Sequence, residues 1–333
     1  MRTAGLLFAL AIGATVVLPN TAAAAVAASC TWHSSTLSGP AGTSATNLYT
    51  TDDNGGWAGT AYFSGVGYHV VTWKNGTVTD YGGVGAPSAS TIVDDENRSG
   101  ALAVTMMAGP YTYVQNAYRI TGGQWQQLAP AAGGSHPEAR AINDAGDVFG
   151  TDGEVSNGLT GTVVLRWPAN QTTPVAVAGL PFDSTVLGLD DDGTLLVGIP
   201  DANGVPVPHL LRGGVLYPLP PSAGNVSSYA VAISNGRVTG SVVSKSVKYT
   251  AVVWDGNQVA HALPGGDMGV LINPSDLVVG TLGGSGATNG VWRNGTLEYT
   301  FGTTNNYIAL GAISDDGSFA GDVDKVPTVW QCS

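Results

Sequence analysis

The sequence predicts an all-β fold, a seven-bladed β-propeller whose last blade is closed by the N-terminal strand. Three observations predict it. One turn motif recurs along the chain, as "INDAGDVFG" at 142–150, "LDDDGTLLVG" at 189–198, "ISNGRVTG" at 233–240, "INPSDLVVG" at 272–280 and "ISDDGSFAG" at 313–321. Strand-length apolar runs lie between turn residues, and no stretch past the N-terminal apolar segment has helical periodicity. The two ends of the chain are complementary fragments of one repeat.

The glycine ending each motif serves as a marker. Gly59, Gly100, Gly150, Gly198, Gly240, Gly280 and Gly321 recur roughly every 40–50 residues, a period of propeller blades. The pattern is clearest in the last five units. Each unit starts with a short strand ending on an apolar residue: Ile92, Ile142, Leu189, Ile233, Ile272 or Ile313. A polar turn follows, often with glycine four residues on (Gly146, Gly193, Gly317), because glycine enters positive φ without steric cost. A second strand, a variable loop and a third strand come next. The third strand tends to end at tryptophan, at Trp73, Trp167, Trp254, Trp292 and Trp330. An Asn-Gly turn or its like ("WKNGT", "WRNGT", "WDGNQ") leads into a fourth strand, a strong hairpin signal. Four antiparallel strands per unit indicate propeller blades. A parallel β-solenoid has shorter repeats and no hairpin within each.

The last unit stops after its third strand, at "VPTVWQC", and "CTWHSSTLSG" at residue 30 reads as a fourth strand without its first three. The N-terminal strand is therefore expected to complete the last blade. Residues 1–29 carry a basic start, an apolar core and a small-residue zone, the signature of a secretory signal peptide. The mature domain then spans 30–333 and is expected to be secreted, extracellular and without a membrane span. Cys30 and Cys332, the two cysteines, fall where the missing hairpin turn would lie, so a disulfide is expected there, closing a loop worth at most ~5 kcal/mol. The alternative, Cys30 as an acylated lipoprotein residue, lacks the usual leucine three places earlier and leaves Cys332 alone.

The repeat resembles the HAF-repeat family of exported bacterial proteins, whose pattern runs "IND-x-G-x-VVG", "HAFLW", "NG-T-x-x-L". "INDAGDVFG" matches its first part, "INPSDLVVG" is close, and "WKNGT" and "WRNGT" match its last. The tripeptide is degraded to "HVV" at His69 and "HLL" at His209. The resemblance covers most of the mature chain, is strongest over 140–333, and implies the architecture but no activity.

A net charge of −12 with only four lysines argues against nucleic acid or an anionic membrane as partner. The tryptophan series reads as packing between sheets or as a sugar-stacking set, and packing is the more economical. The acidic turns "TDDNGG", "LDDDGT" and "SDDGSF" lack the alternating oxygens and distal acid of a calcium loop. Among histidines, His69 and His209 share a repeat slot, while His136 and His261 are isolated; no zinc pattern, nucleophile elbow or phosphate loop is present. Neither cofactor nor metal is expected. Glu138, Asp152 and Glu154 form a conceivable hydrolytic set. Variable loops on a rigid scaffold are where function concentrates. These loops and the blade connections hold Tyr111, Tyr113, His136, Tyr229, Tyr249 and Tyr307, an aromatic face suited to a carbohydrate or protein. The expected function is a monomeric, non-catalytic binding module for an extracellular polysaccharide, cell wall or secreted protein. A carbohydrate-active hydrolase or lyase and a structural envelope protein are the alternatives.

Overall fold

A computed structural model describes residues 30–84, 89–108, 114–156, 159–283, 288–302 and 307–333. Segment 1–29, Tyr111 and Tyr113 lie outside these residues, and so does the side chain of Glu154. Among the described residues all regular elements are β-strands. They form seven four-stranded antiparallel sheets. Blades 1 to 6 take residues 45–80, 90–127, 138–176, 185–218, 225–262 and 266–301 in chain order. Blade 7 takes Ile308–Ile313, Phe319–Val323 and Val326–Cys332, and its outer strand is Trp32–Thr36 from the other end of the chain.

The closure has the expected register. Trp32 pairs with Cys332 and Thr36 with Thr328, antiparallel along the whole strand. Both cysteines are disulfide-bonded. Such bonds belong to oxidising compartments. No helix among the described residues is long and apolar enough to cross a membrane.

The core consists of apolar layers between adjacent sheets. Leu196 and Leu210 of blade 4, for example, pack on Val238, Val242, Val252 and Trp254 of blade 5. The recurring tryptophans are buried in these layers. Four also stitch the chain: the indole N–H groups of Trp73, Trp167, Trp254 and Trp292 donate to the carbonyls of Ser38, Ala129, Pro220 and Pro264 at 2.8–3.1 Å. Each acceptor lies on the connection entering that blade, so the tryptophan pins its own blade to the preceding one. Trp330 instead stacks on Phe319 at 5.1 Å.

Each blade has a β-bulge in its inner strand, between Leu48 and Thr50, Val93 and Asp95, Ala139 and Ala141, Val186 and Gly188, Ala230 and Ala232, Gly269 and Leu271, and Leu310 and Ala312. The bulge explains the marker glycine. A Cβ at Gly59, Gly150, Gly240, Gly280 or Gly321 would lie 1.9–2.2 Å from a carbonyl oxygen of the inner strand. Blades 2 and 4 depart from the rule. Gly100 sits in the turn before the second strand with φ +77°, and Val104 holds the slot opposite the bulge; in blade 4 Val197 holds that slot and Gly198 follows it, opposite Thr185. The inner strand of blade 2 also runs past Ile92 to Glu96.

Candidate functional site

The bulge throws one residue per blade out of register, and all seven residues line the axial channel: Tyr49, Asp94, Arg140, Leu187, Val231, Val270 and Gly311. A bulge re-aims a side chain in this way. The channel encloses about 380 Å³. At the bulge positions blades 1 to 3 present polar side chains and blades 4 to 6 aliphatic ones, while Asp190 and Asp191 of blade 4 and Asn273 of blade 6 also line the channel. This size lies toward the low end of small-ligand sites, ~300–1,000 Å³.

Around the turns that follow the inner strands, the blades are tied together by charge. Arg98 of blade 2 reaches Asp144 of blade 3 at 3.2 Å, Asp191 of blade 4 at 2.7 Å and Asp315 of blade 7 at 2.9 Å. Blades 4 and 7 lie across the ring from each other, so the guanidinium spans the mouth of the channel. These carboxylates hold Arg98 even further above its usual range. The Asp95 carboxylate accepts the backbone N–H of Ile142 at 2.8 Å and the Thr50 hydroxyl, linking blades 1, 2 and 3. Asp190 accepts the N–H groups of Asn235 and Gly236 at 2.8 and 2.6 Å, linking blades 4 and 5.

Several carboxyls here are pushed upward, each mainly by burial: Asp53 and Asp95 to about 7, Asp94 and Glu96 to about 8. For Asp53 the repulsion of Asp315 and Asp95 adds to burial. Asp94 has a side chain only 4% exposed, and its Oδ2 has no hydrogen-bond partner. Its Oδ1 lies 3.8 Å from Arg140, whose other guanidinium nitrogen is held by Glu138 at 2.7 Å.

The described tyrosines among those singled out from the sequence, Tyr229, Tyr249 and Tyr307, lie elsewhere, on the face that carries the blade connections and the loops between second and third strands. Tyr229 and Tyr249 stand side by side on blade 5, with ring centroids 6.3 Å apart and planes inclined by 32°. They are 42% and 40% exposed. Val226, Lys245, Val247 and Lys248 are exposed around them. Tyr307 is exposed at the start of blade 7, where its N–H donates to Asp324 at 3.0 Å. His136 is half-buried before blade 3, with Nδ1 2.6 Å from the Ser135 hydroxyl. The structure thus brings Tyr229 and Tyr249 together and keeps Tyr307 and His136 on other blades.

Of the acidic residues weighed for hydrolysis, Asp152 is buried and accepts the N–H groups of Ala131, Ser135 and His136 at 2.7–3.1 Å, which holds the connection into blade 3. Glu138 belongs to the Arg140 pair. The acidic turns cap themselves: Asp52 accepts from Asn54 and Gly56, Asp192 from Thr194, and Asp316 from Ser318. Among the described residues no group of three or more His, Cys, Asp or Glu is placed to hold a metal.

The channel residues Tyr49, Asp94, Arg140 and Arg98 were missed from sequence. One signal could have found the first three. They stand two residues before Thr51, Glu96 and Ile142, just as Leu187, Val231, Val270 and Gly311 stand two before Leu189, Ile233, Ile272 and Ile313.

No family model matches the chain, and no curated protein matches it. Its fold is similar to that of streptogramin B lyase, with a TM-score of 0.56 and 12% identity over 91% of this chain and 98% of that one. It is also similar to the β-propeller domain of the trilobed protease from Pyrococcus furiosus, with a TM-score of 0.58 and 13% identity over 87% and 95% of the two chains. A chain of a mitotic checkpoint complex matches with a TM-score of 0.55 and 14% identity over 99% of both. At these identities the likeness concerns the fold alone. The class of the protein is thus a seven-bladed β-propeller, closed by its own N-terminal strand.

Proposed function

We propose that the protein is a secreted, monomeric binding module that holds an extracellular polysaccharide on its connection-bearing face. The observation that carries the reading is the exposed Tyr229–Tyr249 pair. Two nearly side-by-side phenol rings offer apolar faces to the C–H side of a sugar, while their hydroxyls remain free for its hydroxyl groups. Lys245 and Lys248, half of the lysines in an otherwise acidic chain, suit a polysaccharide bearing acid groups. The resemblance of the repeat to the HAF-repeat family agrees with an exported scaffold of this kind.

The test is co-sedimentation of the mature protein with insoluble polysaccharides and bacterial cell walls, with soluble sugar measured in the supernatant. Retention without sugar release is expected. Replacing Tyr229 and Tyr249 together by alanine should weaken retention at least about tenfold, a loss of ~1.4 kcal/mol. Release of sugar would instead support a hydrolase or lyase, a reading favoured by the elevated carboxyls of the channel. Absence of both signals would leave a protein partner or a structural role.

A further inference from the structure

We propose that the axial channel is a second binding site, separate from the tyrosine face, and that it takes a small organic cation: an ammonium group seated at Asp94 beside Tyr49, with its apolar part against Leu187, Val231 and Val270.

Three observations converge on this class of ligand. The first is shape. About 380 Å³ of channel is lined on one side by an aliphatic wall and on the other by polar side chains, so it suits a molecule that is itself two-sided. The second is charge. The lining contains six aspartates and only one basic residue, Arg140, and that guanidinium is already held by Glu138 at 2.7 Å. Arg98, which neutralises part of the turn region, is occupied by Asp144, Asp191 and Asp315. Once its raised carboxyls ionise, the channel carries an excess of negative charge, focused by its low-dielectric walls. The third is the unmet valence of Asp94. A buried carboxylate oxygen without a partner is costly, and here Oδ2 has none. The nearest cation is Arg140, at 3.8 Å from Oδ1, a loose contact compared with its bond to Glu138. An incoming ammonium can take the place of Arg140 at Asp94 while Arg140 keeps Glu138. Tyr49 lines the same channel, and an aromatic residue there suits a cationic ligand.

A linked proton release follows. Asp94 faces Glu138 and Arg140 across the junction with blade 3, Asp95 on its own strand, and Tyr49 on blade 1, whose hydroxyl is raised by burial and by nearby carboxylates including Asp94. With Asp94 pushed to about 8, and Asp53 and Asp95 to about 7, these carboxyls retain protons around neutral pH. A cation competes with those protons. Affinity must therefore rise as pH rises through this window.

The experiment is titration calorimetry with choline, whose charge is fixed, against its uncharged carbon isostere 3,3-dimethylbutan-1-ol. At about pH 8.5 choline should bind at least about tenfold more tightly than the isostere, and about tenfold more tightly than it does at pH 6. Asp94→Asn should remove that preference. Val231→Trp, which fills the aliphatic side but leaves every charge in place, should abolish binding. The Tyr229→Ala, Tyr249→Ala double variant should bind choline as the wild type does, which keeps this site distinct from the polysaccharide face. Equal binding of the isostere, an unaltered Asp94→Asn variant, or no heat with choline at high pH would overturn the proposal.

Discussion

Glu96 occupies a position that the other six blades fill with Thr51, Ile142, Leu189, Ile233, Ile272 and Ile313. The slot is buried, and Glu96 Oε2 has no hydrogen-bond partner. Burial, followed by the repulsion of Asp52, pushes its carboxyl to about 8, while Lys74 acts in the opposite direction. Replacing it with isoleucine restores the repeat. The sign of the effect follows from linkage. Unfolded, Glu96 ionises near 4.5; folded, near 8. Between those values the folded chain keeps a proton that the unfolded chain releases, so stability is full at low pH and falls as pH rises through the window. A gap of roughly 3.5 pH units at about 1.4 kcal/mol each sets a ceiling of ~5 kcal/mol. Water entry and an effective dielectric well above that of a dry interior reduce it to ~2–3 kcal/mol. Removing an unpartnered polar atom adds ~1 kcal/mol at every pH. Glu96→Ile should thus be ~1 kcal/mol more stable than wild type at pH 4 and ~3–4 kcal/mol more stable at pH 8.5, by urea unfolding at each pH. An advantage that does not grow with pH would refute the reasoning, and so would a variant less stable than wild type at pH 8.5.

Gly240→Ala should cost at least ~2 kcal/mol, because its Cβ would lie 2.0 Å from the Tyr229 carbonyl oxygen; Gly256→Ala, with nothing within 4 Å, should stay within about 0.5 kcal/mol of wild type by the same unfolding assay. Trp254→Phe keeps the aromatic packing but removes the N–H bond to Pro220, at an expected cost of ~1–2 kcal/mol, read as a drop in thermal midpoint. Cys332→Ser should lower stability by up to ~5 kcal/mol, and the oxidised wild type should lose a similar amount on reduction.

The blades were legible because they repeat. A turn, a tryptophan and an Asn-Gly hairpin each meet a local requirement that returns in most units, and repetition separates such signals from chance. The closure was legible for a related reason: "VPTVWQC" and "CTWHSSTLSG" are two parts of one repeat. The channel was not legible in the same way. Its lining depends on the bulge, which moves Tyr49, Asp94 and Arg140 out of the alternation that strand patterning relies on. Arg98 was hidden for a further reason, since Asp191 and Asp315 are far from it in sequence and only ring closure brings them near.

Blade 2 carries the repeat's costliest departure, and it is also the blade that equips the channel. Like blade 4, with Val197 and Leu211, it has Val104 in place of the marker glycine and Ile120 in place of the tryptophan, but it alone has a charged residue, Glu96, in the slot that closes the inner-strand pattern. The same blade supplies Asp94 and Asp95 to the channel and Arg98 to its mouth. A repeat fold sets the same packing conditions on every blade, so residues that serve packing alone drift back toward the shared pattern. Departures that lower stability, such as a buried unpartnered carboxyl, persist only where something other than packing retains them. Glu96 and Asp94 are two such departures on one strand. Blades 4 to 6 keep the apolar slot, and at their bulges they offer the channel Leu187, Val231 and Val270. The concentration of costly residues on one side of an otherwise regular ring therefore locates the channel's chemistry at blade 2 and its neighbours.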